Sequence, residues 1–134
     1  MTHPVLSVST GPDSSAGPAE TLTVAARRAP PAAVVLTVRG SVDLATSALL
    51  AACLIQQLRD SHRNVVVDLT RVTFFGAAGL TVLVTAREAA AAAGVRLSLV
   101  ARTGVVLLPI TITGLDREFD IRPDLAGALR GAHE

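Results

Sequence analysis

The sequence predicts an α/β domain, a mixed and mostly parallel β-sheet with helices packed on it, in the order ββαβαβαβα. Three observations lead there. The β-branched run "NVVVDLT" at 64–70 reads as a strand buried on both faces. A glycine-bounded turn follows it, and "LTVLVTAREAAAAAG" at 80–94 then fits a helix that ends at Gly94. Strand-like and helix-like apolar periods alternate along the rest of the chain. At 134 residues the chain is most simply one domain, long enough to bury a real core.

Taken in order, residues 1–18 mix Pro, Gly, Ser and Thr without sustained periodicity and read as a mobile tail, which leaves 19–134 as the domain. "TLTVAARR" (21–28) alternates weakly, as a short edge strand would. Pro30 and Pro31 cannot donate to a ladder and turn the chain. "VVLTVRG" (34–40) is then a second strand, antiparallel to the first because the link is short, and stopped at Gly40. Within 41–62, Leu50, Leu54 and Leu58 recur at spacings of four, with Ala51 and Ile55 beside them, and Thr46 is placed to cap that helix. After the strand at 64–70, Leu80, Leu83, Val84 and Arg87 share one face of the second helix. "VRLSLV" (95–100) alternates as a strand. A poor helix around 105–112, a "GLD" break, an extended piece near Phe119 and a helix capped by Asp124 complete the chain.

Composition excludes several functions. All 12 basic residues are arginines spread along the chain against 11 acids, for a net charge of +1, so no basic stripe for nucleic acid exists. Phe74, Phe75 and Phe119 are the only aromatics, too few for base-stacking platforms. The longest uncharged stretches, 44–58 and 72–86, have fifteen residues each, short of the roughly 20 that cross a bilayer. Without a signal-peptide pattern at the N-terminus, a soluble cytoplasmic protein is expected. The lone Cys53 falls in an apolar helical pattern and reads as an inert core thiol.

No catalytic constellation suggests itself. His3 and His133 lie at the termini and His62 in a polar loop, with no nucleophile, base and orienter in sight. Metal-ligand spacings are absent too, and neither cofactor nor metal is expected. "GAAG" lacks the Lys and Ser/Thr of a phosphate-binding loop, although bare amides at a helix start attract anions.

Three segments in order, "VRGSVDLAT", "VVVDLTRVTFFGAAGL" and "ITGLDREFDI", resemble the STAS domain of bacterial anti-sigma factor antagonists. The usual forms there are G-E-[IL]-D-L-x-T, D-L-x-x-V-x-F-[ILM]-D-S-S-G-L and [LT]-x-G-L-D-x-x-F. The resemblance spans about 21–134 and implies a non-enzymatic regulator of transcription. Its members bind an anti-sigma factor, usually a GHKL-type serine kinase, and so release a sigma factor. The kinase phosphorylates the second serine of D-S-S-G and ends the interaction. By this resemblance the phosphoacceptor falls on Ala78, its serine neighbour on Ala77, the preceding acid on Gly76 and the glycine on Gly79. Asp43 keeps the acid of the first segment, whereas Ser41 replaces its glutamate.

The corner is thus kept while the switch is lost. The implied partner surface comprises Ser41, Asp43, Thr46, Gly76, Ala77, Ala78, Gly79, Leu80 and Thr81. Asp43 has a second reading, as a cap of its loop or helix. Thr73 and Thr81 flank the corner and carry the remaining hydroxyls able to take a phosphate. A scaffold or oligomerisation module without antagonist activity is the alternative reading. Leu107 and Leu108 stand where the family commonly has polar residues, so they are either buried in the chain's own core or form an apolar contact patch for a partner or a homodimer.

Overall fold

Strand ladders and amphipathic helices follow the expected alternation, with one strand more. The computed structural model describes residues 6–10, 21–60 and 64–131. Its elements are β1 (Leu6–Thr10), β2 (Leu22–Ala29), β3 (Ala33–Val42), α1 (Ser47–Asp60), β4 (Asn64–Phe75), α2 (Ala77–Ala93), β5 (Arg96–Val100), α3 (Gly104–Ile112), β6 (Asp120–Arg122) and α4 (Leu125–Gly131), with a 3-10 turn at Leu115–Arg117. The six strands lie side by side in chain order. β1, β2 and β3 pair antiparallel, and β3 to β6 pair parallel through helical crossovers.

Two expectations for the N-terminal part are corrected. Residues 6–10, assigned to a mobile tail, form β1, and β2 is consequently an interior strand rather than an edge. The edge of β2 offers amides and carbonyls to pair, and Leu6–Thr10 completes that ladder, its alternation of Leu6 and Val8 with Ser7 and Ser9 being too short to stand out from the Pro-, Gly- and Ser-rich residues around it. The Pro30–Pro31 peptide, which is cis, lies in the tight link between β2 and β3. β3 does not stop at Gly40 but runs to Val42. Gly40 has φ +110°, and a Cβ there would collide with the Thr21 carbonyl, so only glycine lets β2 and β3 approach so closely.

The helices divide between the two sheet faces. α1, α2 and α3 cover one face, where Leu50, Leu54 and Leu58 meet Leu36, Val38, Val65, Val67 and Leu69. Each of those leucines is worth roughly 1.5–3 kcal/mol when buried. On the other face, Val35, Val66 and Val100 pack against Ala128, Leu125 and Leu129 of α4. β4 is therefore sandwiched, as its unbroken valines require.

α2 begins three residues earlier than the leucine pattern suggests, and its buried face is Gly79, Val82, Leu83, Ala86 and Ala90. The expected face is rotated, with Leu80 half-buried and Arg87 pointing outward to Glu118 at 3.0 Å. Small residues let the helix lie close on the sheet, so alanines rather than only large side chains mark its inner side. Gly94 closes α2 at φ +70°, its N–H reaching the Ala90 and Ala91 carbonyls. Asp124 caps α4 through Gly127 N–H at 2.6 Å.

Leu107 and Leu108 part company. Leu107 is half-buried against the core, whereas Leu108 is 58% exposed in line with Val105 and Ile112. Adjacent helical residues point about 100° apart, so neither a shared burial nor a shared patch describes both. Cys53 is buried in α1, and burial pushes its thiol pKa up. His3, His62 and His133 lie outside the described residues.

Candidate functional site

The site forms where two neighbouring parallel strands, β3 and β4, both turn into helices. Ser41 stands beside Phe74 and Val42 beside Phe75, and Gly76 N–H donates to the Val42 carbonyl at 3.0 Å. Register slips twice along this pair: Thr37 to Arg39 spans Asp68 to Arg71, and Gly40 to Ser41 spans Val72 to Phe74. β4 thus carries an extra residue at each slip, which twists it and reorients its last residues. Phe75 enters the core and Phe74 is left outside, 51% exposed.

The β3–α1 corner is closed by side chains. Asp43 Oδ1 accepts the Ala45 and Thr46 amides at 2.9 and 3.0 Å, an Asx turn. The Thr46 hydroxyl accepts the Asp43 amide at 3.0 Å and has carbonyl and carboxylate acceptors at 2.7 Å (Ser41 O) and 3.2 Å (Asp43 Oδ1). With one proton to give, it donates to the nearer, the Ser41 carbonyl. Thr46 does occupy the residue before α1, and its carbonyl accepts Leu50 N–H, but its hydroxyl faces back into the turn rather than along the helix. Asp43 is the cap of its own loop.

The β4–α2 corner is closed by backbone and packing. Gly76, at φ −94° and ψ −174°, occupies the cap position with no side-chain cap, and its carbonyl accepts Gly79 and Leu80 amides at 3.0 and 3.3 Å. A Cβ on Gly79 would come within 2.8 Å of the Phe75 ring and 3.0 Å of Val42 Cγ1. A Cβ on Gly76 would approach the tip of the Phe74 ring at 3.1 Å. Of the expected surface, Ala77 and Thr81 are exposed, and Asp43, Gly76, Ala78 and Leu80 are half-buried. Ser41, Thr46 and Gly79 are buried and shape the corner from within. Thr73 is exposed at the β4 bulge, and the Thr81 hydroxyl donates to the Ala77 carbonyl at 3.2 Å.

Sequence reasoning passed over Leu44, which is 87% exposed, and Phe74. The signals were present. Leu44 stands inside a turn whose Asp and Thr bond to each other, so it has no route to the core. Of two consecutive phenylalanines on a strand, one must face away.

Among the described residues no group of three or more His, Cys, Asp or Glu could hold a metal. Nor is any helix among them long and apolar enough to cross a membrane. Asp120 binds Arg122 at 2.8 Å, Arg96 at 3.2 Å and Ser98 at 3.1 Å on β5 and β6. Burial pushes its pKa up, but these hydrogen bonds and the Arg122 charge outweigh burial and leave it below the usual carboxylate value. It is a structural clasp between strands.

A small α/β domain that presents two strand-to-helix corners on adjacent strand ends has the form of an interaction module. A family model, the STAS domain, matches residues 24–128. Anti-sigma-F factor antagonist RsfB of Mycobacterium tuberculosis is 35% identical over 97 residues, 72% of this chain and 79% of RsfB. An anti-sigma factor antagonist from Mycobacterium paratuberculosis superposes with a TM-score of 0.76 at 29% identity, covering 87% of this chain and 96% of that one. SpoIIAA of Bacillus, in its unphosphorylated form, shares the fold with a TM-score of 0.68 at 13% identity, over 83% and 97% of the two chains. This chain belongs to the STAS domain family.

Proposed function

We infer that this chain is an anti-sigma factor antagonist, a non-enzymatic cytoplasmic regulator that binds an anti-sigma factor of the GHKL kinase type and so frees a sigma factor. The observation that carries the reading is the juxtaposition of the Asp43 turn and the Gly76–Thr81 corner on two hydrogen-bonded strand ends, in a chain similar to RsfB. SpoIIAA has been solved in phosphorylated and unphosphorylated forms. Here Ala78 stands for the phosphoacceptor. A phosphate adds close to two negative charges, enough to dominate a binding free energy of about 8–12 kcal/mol, and alanine has no oxygen to carry it. Binding is then regulated by something other than a phosphate at this corner.

The test pairs the purified chain with each GHKL-type anti-sigma factor of its source genome by calorimetry, with and without ATP. One of them should bind with no phosphate gained between residues 76 and 79, and Ala78→Asp should weaken that binding by desolvating a carboxylate in the interface. Stoichiometric phosphate on Thr73 or Thr81 would show that the switch has moved rather than vanished.

The oligomerisation reading has one observation in its favour, the exposed line of Val105, Leu108 and Ile112 on α3. Leu108→Arg should leave melting unchanged because the side chain is largely in solvent. A dimer that dissociates on that substitution, in a chain that binds no anti-sigma factor, would select the second reading.

A further inference from the structure

We propose that Arg39 and Arg71 form a paired carboxylate-binding site on the open face of the sheet, where an acidic segment of the anti-sigma factor docks, an inference that rests on the reading above. The pair exists because of the first register slip. Along β4 the inward residues are Val65, Val67, Leu69 and then Val72, so a step of two becomes a step of three. Thr70 and Arg71 therefore both turn away from that core, and Arg71 comes to lie opposite Arg39, whose neighbour Val38 is buried in it. Asp68 Oδ1 accepts the Thr70 amide at 3.0 Å and the Thr70 hydroxyl at 2.7 Å, which holds the bulge in shape.

Like charges in register on neighbouring strands repel, so the pair costs the fold something. Both arginines are exposed, and among the described residues neither belongs to an ion pair. Asp68, the acid nearest by register, stands a row back opposite Thr37 and serves the bulge. Thr23, opposite Arg39 on β2, is uncharged. α4 packs on the same sheet face at Val35, four residues back along β3 and so roughly 13 Å away at about 3.3 Å per residue.

The occupant follows from this charge pattern. Strands lie about 4.8 Å apart, so two guanidinium forks can close on one carboxylate or on two adjacent acidic side chains, each held bidentately. A nucleic acid would need a longer basic track, which arginines spread along a chain of net charge +1 do not supply. The source of the acids is the partner already inferred. Arg39 is two residues before Ser41 and Arg71 five before Gly76, and an interface of usual size covers about 800 Å² of each protein, enough to take in both the corner and the pair.

Arg39→Gln with Arg71→Gln, and Arg39→Lys with Arg71→Lys, are compared with wild type and Ala78→Asp by calorimetry against the anti-sigma factor that wild type binds, at about 50 and 500 mM salt, with melting measured in parallel. The glutamine pair should lose about tenfold in affinity at low salt, the gap should close at high salt, and the lysine pair should recover part of the loss by charge alone. Melting should stay within about 3 °C of wild type or rise, because a repulsion is removed. A glutamine pair that binds as wild type at low salt while Ala78→Asp weakens binding keeps the corner and overturns the arginine site. Unchanged affinity in every variant, or wild type that binds no anti-sigma factor, overturns the reading and the site together. A fall in melting beyond about 5 °C would mean that the arginines hold the chain's own fold, and duplex DNA that binds wild type but not the glutamine pair would make this a polyanion site; either overturns the proposal.

Discussion

Two strand-to-helix corners lie side by side in this domain and are closed by opposite means. At the end of β3, Asp43 and Thr46 bond the turn together with side-chain oxygens. At the end of β4, no side chain caps α2, and the turn is held by Gly76 backbone bonds and by the fit of Gly79 under Phe75 and Val42. The difference shows how a corner can be rigid while chemically blank. Packing fixes the backbone, so residues 77 and 78 are left free of any structural duty that needs a polar group.

The comparison breaks first at Gly79. With a Cβ predicted 2.8 Å from an aromatic ring in the core, Gly79→Val should destabilise the domain by about 3 kcal/mol or more, the upper range of overpacking, and Gly79→Ala by less. Urea denaturation with an unchanged m-value reads both. A tolerated valine would mean that packing does not close this corner.

At the other corner, Thr46→Val keeps shape and removes the hydroxyl, leaving the Ser41 carbonyl and Asp43 amide without it, for about 1–3 kcal/mol. Asp43→Ala should cost about 1 kcal/mol by losing the turn's acceptor, and Asp43→Asn less, since an amide oxygen still accepts. Equal losses for alanine and asparagine would point to the charge rather than the hydrogen bonds.

Ala78→Ser should change stability by no more than about 0.5 kcal/mol, because a half-buried helix-start position accepts serine readily. It should also become a substrate of the partner kinase, read by phosphopeptide mapping. A serine left unmodified by a kinase that binds the chain would contradict the assignment of Ala78 to the phosphoacceptor.

The smallest effect lies away from both corners. Asp120 is held below the usual carboxylate value in the folded chain, so its contribution is present above the unfolded pKa near 4 and is lost as pH falls through the folded one. The stability gap between wild type and Asp120→Asn should therefore shrink on acidification. A gap that widens would reverse the sign assigned to this cluster.

How far the sequence could be read differs between these regions for physical reasons. The Leu50–Leu54–Leu58 stripe, the valines of β4, the Gly94 stop and the Asp124 cap act over one or two turns, and local periods expose them. So do the three segments from which the family was inferred, and with them the position of the corner. β1 was not legible, because a strand that completes a ladder depends on an edge far from it in the sequence. The inner face of α2 was misjudged for a related reason: alanine carries little hydrophobic signal, and only the close approach of the helix to the sheet selects it.

The sequence by itself determined the alternation of strands and helices, the apolar stripes and the absence of a hydroxyl at residue 78. Each is written in neighbouring residues. Only the tertiary structure decided which surface those residues form. Phe75 packs into the core while Phe74 stays half-exposed, the Asp43–Thr46 bonds hold Leu44 in solvent, and one step along α3 separates half-buried Leu107 from exposed Leu108. Exposure is set by what packs across a gap in space, and a linear pattern carries that information only where the partner element happens to be local.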